Sequence, residues 1–292
     1  MFHGNFVALI TPMHADGALD EAGFQAFCDW QILEGTHGLV PVGTTGESPT
    51  LDHEEHKRVV ALCVEAARGR VPVVAGTGSN STAEAIDLTK AAKKAGADAA
   101  LVVTPYYNRP TQEGLYQHFK AIAEQGGLPI LIYNIPGRSA VDMTVETMAR
   151  LAKVPGIIGV KDATANLVRP LHQRMSCGED FCQLSGEDHT AIAFLASGGH
   201  GCISVTGNVA PRLCSEMHNL WQGGDVKGAM AIQHRLVPLH DALFCETSPG
   251  PAKYAASLLG KTTEYCRLPL APIADASKAR VRAAMVGVGL LN

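Results

Sequence analysis

Residues 71–105 read VPVVAGTGSNSTAEAIDLTKAAKKAGADAALVVTP, and the fold class turns on how this stretch is parsed. Val71–Gly76 is a short apolar, β-branched run, and Ala99–Pro105 is another. Between them, Ala83–Ala95 repeats apolar residues every three or four positions, the period of a helix with one buried face. Gly96 then stands where a helix closing on a left-handed residue uses glycine. Two such strands joined through a helix make a parallel β-α-β unit. The turn Gly76-Thr77-Gly78-Ser79-Asn80-Ser81 is the chain's nearest approach to a dinucleotide-binding G-x-G-x-x-G. It follows the third strand instead of the first and lacks the last glycine. It reads as a βα turn with a helix cap, which weakens the case for an open, doubly wound sheet.

The same unit recurs in both directions. Strand-like runs fall at Val7–Pro12, Gly38–Gly43, Val71–Gly76, Ala99–Pro105, Pro129–Ile135, Gly156–Asp162, Phe181–Gly186 and Gly201–Thr206. Glu21–Glu34 and Glu54–Arg68 show the helical period clearly, and Gly35 and Gly69 close them. Eight β-α units at spacings of roughly 20 to 35 residues predict an α/β fold, a (β/α)8 TIM barrel. A further helical region, punctuated by Pro249-Gly250-Pro251, runs from Ala210 to the end. The expected organisation is a barrel over residues 1–224 and a C-terminal helical subdomain over 225–292.

Composition narrows the function. The 292 residues are 46% hydrophobic and 18% charged, enough apolar material for a packed core. With a net charge of −4 and mixed signs, there is no basic patch for nucleic acid and no polybasic tail for anionic lipid. The longest apolar runs have strand length, short of the roughly 20 residues of a membrane span. Met1-Phe2-His3-Gly4 does not open a signal peptide, so the expected location is the cytoplasm. The eight cysteines include no C-x-x-C pair and fit buried, reduced thiols. Of the twelve histidines, only His53 and His56 sit close on one helix face, without the i,i+4 spacing of a zinc-peptidase helix.

In a barrel, chemistry sits at the C-terminal ends of the strands. Those ends carry Gly43-Thr44-Thr45-Gly46-Glu47-Ser48, Thr104-Pro105-Tyr106-Tyr107-Asn108, Tyr133-Asn134-Ile135-Pro136-Gly137-Arg138, Lys161-Asp162 and Ser204-Val205-Thr206-Gly207-Asn208. The set offers one lysine, hydroxyls, a phenol pair and one arginine, and no carboxylate or histidine cluster for a divalent metal. Lys161 follows the apolar Ile157-Ile158-Gly159-Val160. A lysine there loses hydration, which frees its amine to attack a carbonyl; alternatively it escapes to solvent or pairs with Asp162. Tyr133 lies one strand over, either a proton shuttle or a core tyrosine. The Gly43–Gly46 turn can hold a carboxylate on hydroxyls and backbone N–H groups, or simply cap a helix. Arg138 is either a carboxylate clamp or a surface arginine.

Taken together, Gly43–Ser48, Val103–Asn108, Tyr133–Pro136 with Arg138, and Gly159–Asp162 resemble the dihydrodipicolinate synthases. These enzymes fall within the pyruvate-dependent aldolase and N-acetylneuraminate lyase superfamily. The resemblance covers essentially the whole chain. It implies that Lys161 forms an imine with pyruvate and that the derived enamine attacks L-aspartate 4-semialdehyde. No metal or organic cofactor is implied. It further implies a proton relay of Tyr133, Thr44 and Tyr107, pyruvate held by Thr45 and the Ile203 backbone, and the semialdehyde carboxylate held by Arg138.

A tyrosine like Tyr107 implies an oligomer, expected as a homotetramer of tight dimers. Ser48, His53, His56, Asn80, Glu84 and Tyr106 match the lysine feedback site of lysine-sensitive members, with Pro49 standing where alanine is frequent. Two alternatives remain: an aldolase acting on a longer keto-sugar acid, and a non-catalytic amino-acid-binding barrel. Sialic acid lyases tend to carry Gly-Ser-Thr-Gly-Glu in place of Gly43-Thr44-Thr45-Gly46-Glu47, and lack an arginine like Arg138. Joint retention of Lys161, Tyr133, Thr44, Thr45 and Arg138 argues against the scaffold.

Overall fold

The computed structural model of the protein describes residues 1–292. Each apolar run becomes a strand: β1 (Gly4–Ala8), β2 (Gly38–Val40), β3 (Val74–Gly76), β4 (Ala99–Val103), β5 (Ile130–Asn134), β6 (Ile157–Asp162), β7 (Cys182–Ser185) and β8 (Gly201–Ser204). Between and after them lie α1 (Glu21–Leu33), α2 (His53–Ala67), α3 (Thr82–Ala95), α4 (Gln112–Gly126), the single turn α5 (Pro136–Ser139), α6 (Val145–Leu151), α7 (Arg169–Cys177), α8 (Ala191–Ala196) and α9 (Pro211–Gln222). Three more helices close the chain: α10 (Val226–Leu243), α11 (Gly250–Leu258) and α12 (Asp275–Gly287). β1 pairs with β2, and from β3 to β8 each strand pairs with the next, always in parallel. This is the (β/α)8 repeat expected from the sequence.

Residues 1–3 with 73–203 form one compact unit, and residues 4–72 with 204–292 a second. In the first, β4 to β7 bury Leu101, Val102, Ile130, Leu131, Ile132, Val160 and Leu184. Strands covered on both faces need no polar alternation, which is why they read as continuous apolar runs. Ser81 caps α3 through its side chain, so the glycine-rich turn is the helix entry anticipated above. The β5–β6 ladder is irregular at its start: Ile130 lies opposite Ile157, but Leu131 lies opposite Gly159, so Ile158 is passed over.

In the second unit, α2 opens on a capping box of Asp52 and Glu55. The strand expected at Val7–Pro12 lies earlier, at Gly4–Ala8. Two asparagines account for the offset. Asn5 is fully buried, its backbone N–H donating to His37 Nδ1 at 3.0 Å and its amide to Thr36 and Ser215, so a polar residue opens the strand. At the other end, Ile10 N–H donates to Asn208 Oδ1 at 2.9 Å, while Asn208 Nδ2 donates to the Ala8 carbonyl at 2.8 Å. A side chain thus replaces the ladder although the apolar run continues. No helix is long and apolar enough to cross a membrane.

Candidate active site

Tyr133 on β5 and Lys161 on β6 are direct neighbours across a parallel pair, as are Asn134 and Asp162 one residue on. Side chains alternate along a strand, so the first pair shares one face and the second pair the other. Lys161 is 6% exposed, and its Nζ lies 4.2 Å from the centroid of the Tyr133 ring, a cation–π approach. This geometry removes both alternatives left by the sequence. The lysine does not reach solvent, and Asp162 is engaged elsewhere. Asp162 Oδ1 accepts from the N–H and hydroxyl of Thr164 at 2.9 and 2.6 Å, and Oδ2 from Arg169 Nε and Gln173 Nε2, both at 3.2 Å. Gly186 leaves the lysine's stem its room: a Cβ there would come within 3.1 Å of Lys161 Cε and 2.7 Å of the Ala163 methyl.

Glu187, two residues beyond β7, is a site residue outside the strand-end motifs of the sequence analysis. Its position at a strand terminus was the signal available. Burial pushes its carboxyl above the ordinary carboxylate range and Asp188 adds to the rise, while the nearby charge of Lys161 opposes it. Ile203 is fully buried on β8.

The loops after β4 and β5 carry the remaining predicted residues of this unit. Tyr107 is 91% exposed and holds a left-handed φ of +69°. Its loop is tied down around it: Asn80 Nδ2 donates to the Tyr106 carbonyl at 3.3 Å, and Asn108 Nδ2 to the Asn80 carbonyl at 2.9 Å. Arg138 lies exposed on α5, without an ion-pair partner. That turn is anchored by Ser139, whose hydroxyl lies 2.9 Å from the Ile135 and Val141 carbonyls and accepts from Thr104 Oγ1 at 3.1 Å.

In the second unit, Thr45 is buried and Thr44 half-buried in the turn after β2. The turn folds on itself through Gly46 N–H to Gly43 O at 3.0 Å and Glu47 N–H to Thr44 O at 3.2 Å. Thr11 Oγ1 donates to the Gly46 carbonyl at 2.7 Å. Its far end is held by charge: Glu47 Oε1 accepts from Lys253 Nζ at 2.7 Å with both side chains at 0% exposure, and Oε2 accepts from the Arg267 N–H at 2.9 Å. Lys253 had no local sequence signal, because its partner is 206 positions away.

Of the residues matching a lysine-binding site, Ser48, Pro49, His53 and His56 lie in the second unit, with His56 buried on α2. Asn80, Glu84 and Tyr106 lie in the first, where Glu84 also accepts from Ser79. No group of three or more His, Cys, Asp or Glu side chains is arranged to hold a metal ion.

Comparison with known proteins places the chain in a family. A family model described as the dihydrodipicolinate synthetase family matches residues 1–286. The 4-hydroxy-tetrahydrodipicolinate synthase of Acidiphilium cryptum is 68% identical over 291 residues, covering 100% of each chain. Among solved structures, dihydrodipicolinate synthase from Acinetobacter baumannii, complexed with pyruvate, superposes with a TM-score of 0.97 at 45% identity over 100% of both chains. The enzyme from Cyanidioschyzon merolae with lysine bound gives a TM-score of 0.96 at 37% identity over 99% of each. The (β/α)8 barrel, the strand-end motifs and the full-length match agree: the chain belongs to the dihydrodipicolinate synthetase family.

Proposed function

We infer that the protein is a Schiff-base-forming lyase that condenses pyruvate with L-aspartate 4-semialdehyde to 4-hydroxy-tetrahydrodipicolinate, on the diaminopimelate route to lysine. The observation that carries this reading is the buried Lys161 amine against the Tyr133 ring, with no carboxylate claiming it. Lys161 attacks the keto carbon of pyruvate, and loss of water gives the imine. The imine withdraws electrons from the methyl group, which releases a proton and becomes the enamine carbon. That carbon adds to the aldehyde. The semialdehyde amine then displaces Lys161 by transimination and closes the ring. The lysine imine is itself the electron sink, so the reaction calls for no metal or organic cofactor.

In this scheme Tyr133, Thr44 and Tyr107 pass protons, and Thr45 and the Ile203 backbone hold the pyruvate carboxylate. Arg138, exposed and without an ion-pair partner, is suited to receive the carboxylate of the semialdehyde.

Assembly, regulation, organisation and location complete the reading. Tyr107 projects from a fixed loop into solvent, as a residue destined for a neighbouring subunit would. Val168 at the N-cap of α7, and Leu171 and Met175 along it, stay 51%, 48% and 85% exposed, an apolar stripe at helical spacing. Both features support a homotetramer of tight dimers. L-Lysine is proposed as the feedback effector, received by Ser48, Pro49, His53, His56, Asn80, Glu84 and Tyr106. The element order supports a barrel through residue 224, ending with α9, and an appended subdomain of α10 to α12. The enzyme is placed in the cytoplasm.

Borohydride reduction in the presence of pyruvate tests the central step. A reduced pyruvyl adduct is expected on the peptide carrying Lys161, and none in Lys161→Ala. An adduct that is absent, or that maps to another lysine, overturns the assignment.

A further inference from the structure

The Tyr133–Lys161 pair has a counterpart on the opposite face of the same two strands. There Asn134 and Asp162 are register neighbours; Asp162 is bonded directly to the guanidinium of Arg169 on α7, and Asn134 is linked to it through Asp142 and Met143. Arg169 Nε donates to Asp162 Oδ2 at 3.2 Å, which holds the end of β6. Its Nη1 lies 3.3 Å from Asp142 Oδ1, and its Nη2 donates to the Met143 carbonyl at 2.7 Å. The Asp142–Met143 segment in turn grips the end of β5. Asn134 Nδ2 donates to Asp142 Oδ1 at 2.7 Å, and the Met143 N–H donates to Asn134 Oδ1 at 3.1 Å. The Arg169 side chain is 10% exposed and that of Asp162 2%, so the bond to β6 is made with little competing water, whereas Asp142, 52% exposed, meets solvent.

A regular ladder would fix how far β5 slides along β6. Here the register shifts between Ile130 and Leu131, which leaves only the four pairs from Leu131–Gly159 to Asn134–Asp162 to hold the stagger at the strand ends. That stagger sets the position of the Tyr133 phenol relative to the Lys161 amine. Arg169 spans both strands from behind, with one arm for each.

We propose that Arg169 is a positioning residue for imine formation, a clamp that holds Tyr133 and Lys161 at reacting distance without touching substrate. The proposal rests on the imine reading of Lys161. Arg169 would therefore act on the rate of the covalent step and leave the initial capture of pyruvate nearly alone. A displacement near 1 Å in a reacting pair lowers rate by up to about 100-fold.

The test is single-turnover borohydride trapping with pyruvate in the full-length protein, scored per folded site by intact-mass spectrometry. Arg169→Lys keeps a cation beside Asp162 but cannot span both arms, and Asp142→Asn weakens only the β5 arm. For Arg169→Lys we expect the saturating trapping rate to fall roughly 10- to 100-fold while the half-saturating pyruvate concentration stays within about twofold. Asp142→Asn should show the same split with a smaller fall, and it carries the test if the arginine variant does not fold. A folded variant that traps at the wild-type rate overturns the clamp. So does a variant in which rate and half-saturation worsen together, since that marks general loosening of the site. Failure of the wild-type enzyme to trap pyruvate would instead sink the imine reading itself.

Discussion

Glu47 and Lys253 bury two full charges 2.7 Å apart, at 0% exposure each. Desolvating such a pair is expensive, and its attraction repays that only when the geometry is good and the remaining lone pairs are used. Here the second carboxylate oxygen accepts the Arg267 N–H. Removing one partner therefore differs greatly from removing both. Lys253→Met should destabilise the protein by about 3–5 kcal/mol, because Glu47 is left charged and enclosed. Lys253→Met combined with Glu47→Gln should lose clearly less than the two single changes added together. Urea unfolding of the three variants measures this, and a Lys253→Met loss below about 1 kcal/mol would reject it. The pair also bears on chemistry, because Glu47 closes the turn that carries Thr44 and Thr45. The motif was legible as a motif; the lysine that anchors it was not, since nothing local marks a partner so distant in the chain.

At the scale of one helix, α4 carries a titratable group in an apolar setting. His118 is 5% exposed, with Nδ1 2.9 Å from Thr82 Oγ1, its ring edge-on to Phe119 at 5.2 Å and Nε2 without a partner. Burial lowers its pKa from 6.5 to about 4. The folded state thus holds the neutral ring, while the unfolded chain takes up a proton near pH 6.5. Its contribution is complete above about pH 6.5 and is lost as pH falls toward about 4, with a slope of up to ~1.4 kcal/mol per pH unit. Glu187, whose folded carboxyl is raised, works in the opposite sense, so the wild-type curve alone mixes the two. Stability measured from pH 7 to pH 4.5 should fall less steeply for His118→Gln than for the wild type. Parallel curves would refute the assignment. In α4 the buried face mixes His118 with Leu115, Phe119 and Ile122, which blurs the apolar period in the sequence. The stretches whose period is clear, Glu21–Glu34, Glu54–Arg68 and Ala83–Ala95, lie within one residue at each end of α1, α2 and α3. Their caps, Asp20, Asp52 and Ser81, are the residue types that satisfy free N–H groups.

For the whole molecule, eight repeats made the architecture readable, because period and spacing are carried by many residues at once. What escaped was long-range polar pairing: Asn208 replacing the ladder after β1, Lys253 beneath the threonine turn, and Arg169 behind the lysine. The conspicuous candidates lie at strand ends, where position identifies them; their supports lie in helices, where a lone Arg or Lys looks like any surface charge. Assembly can be probed at this scale. Leu171 is half-exposed within the α7 stripe, so Leu171→Asp places a charge on that apolar face while sparing the core. Sedimentation velocity should show a tetramer in the wild type and a smaller species in the variant, at unchanged helix content. An intact tetramer in Leu171→Asp would remove α7 from the interface.

Ile158, passed over where β5 meets β6, has a meaning that goes beyond its own contacts. Counted without that skip, Leu131 would face Ile158, Tyr133 would face Val160, and Lys161 would come level with Asn134. Every residue of the site would still be present in the sequence, and the phenol and the amine would no longer meet. The site is therefore encoded by arithmetic as well as by identity. Deleting Leu131, on the strand with no residue to spare, would bring Tyr133 level with Val160 and silence the site with no active-site side chain altered, a lesion invisible to anyone who inspects only the motifs.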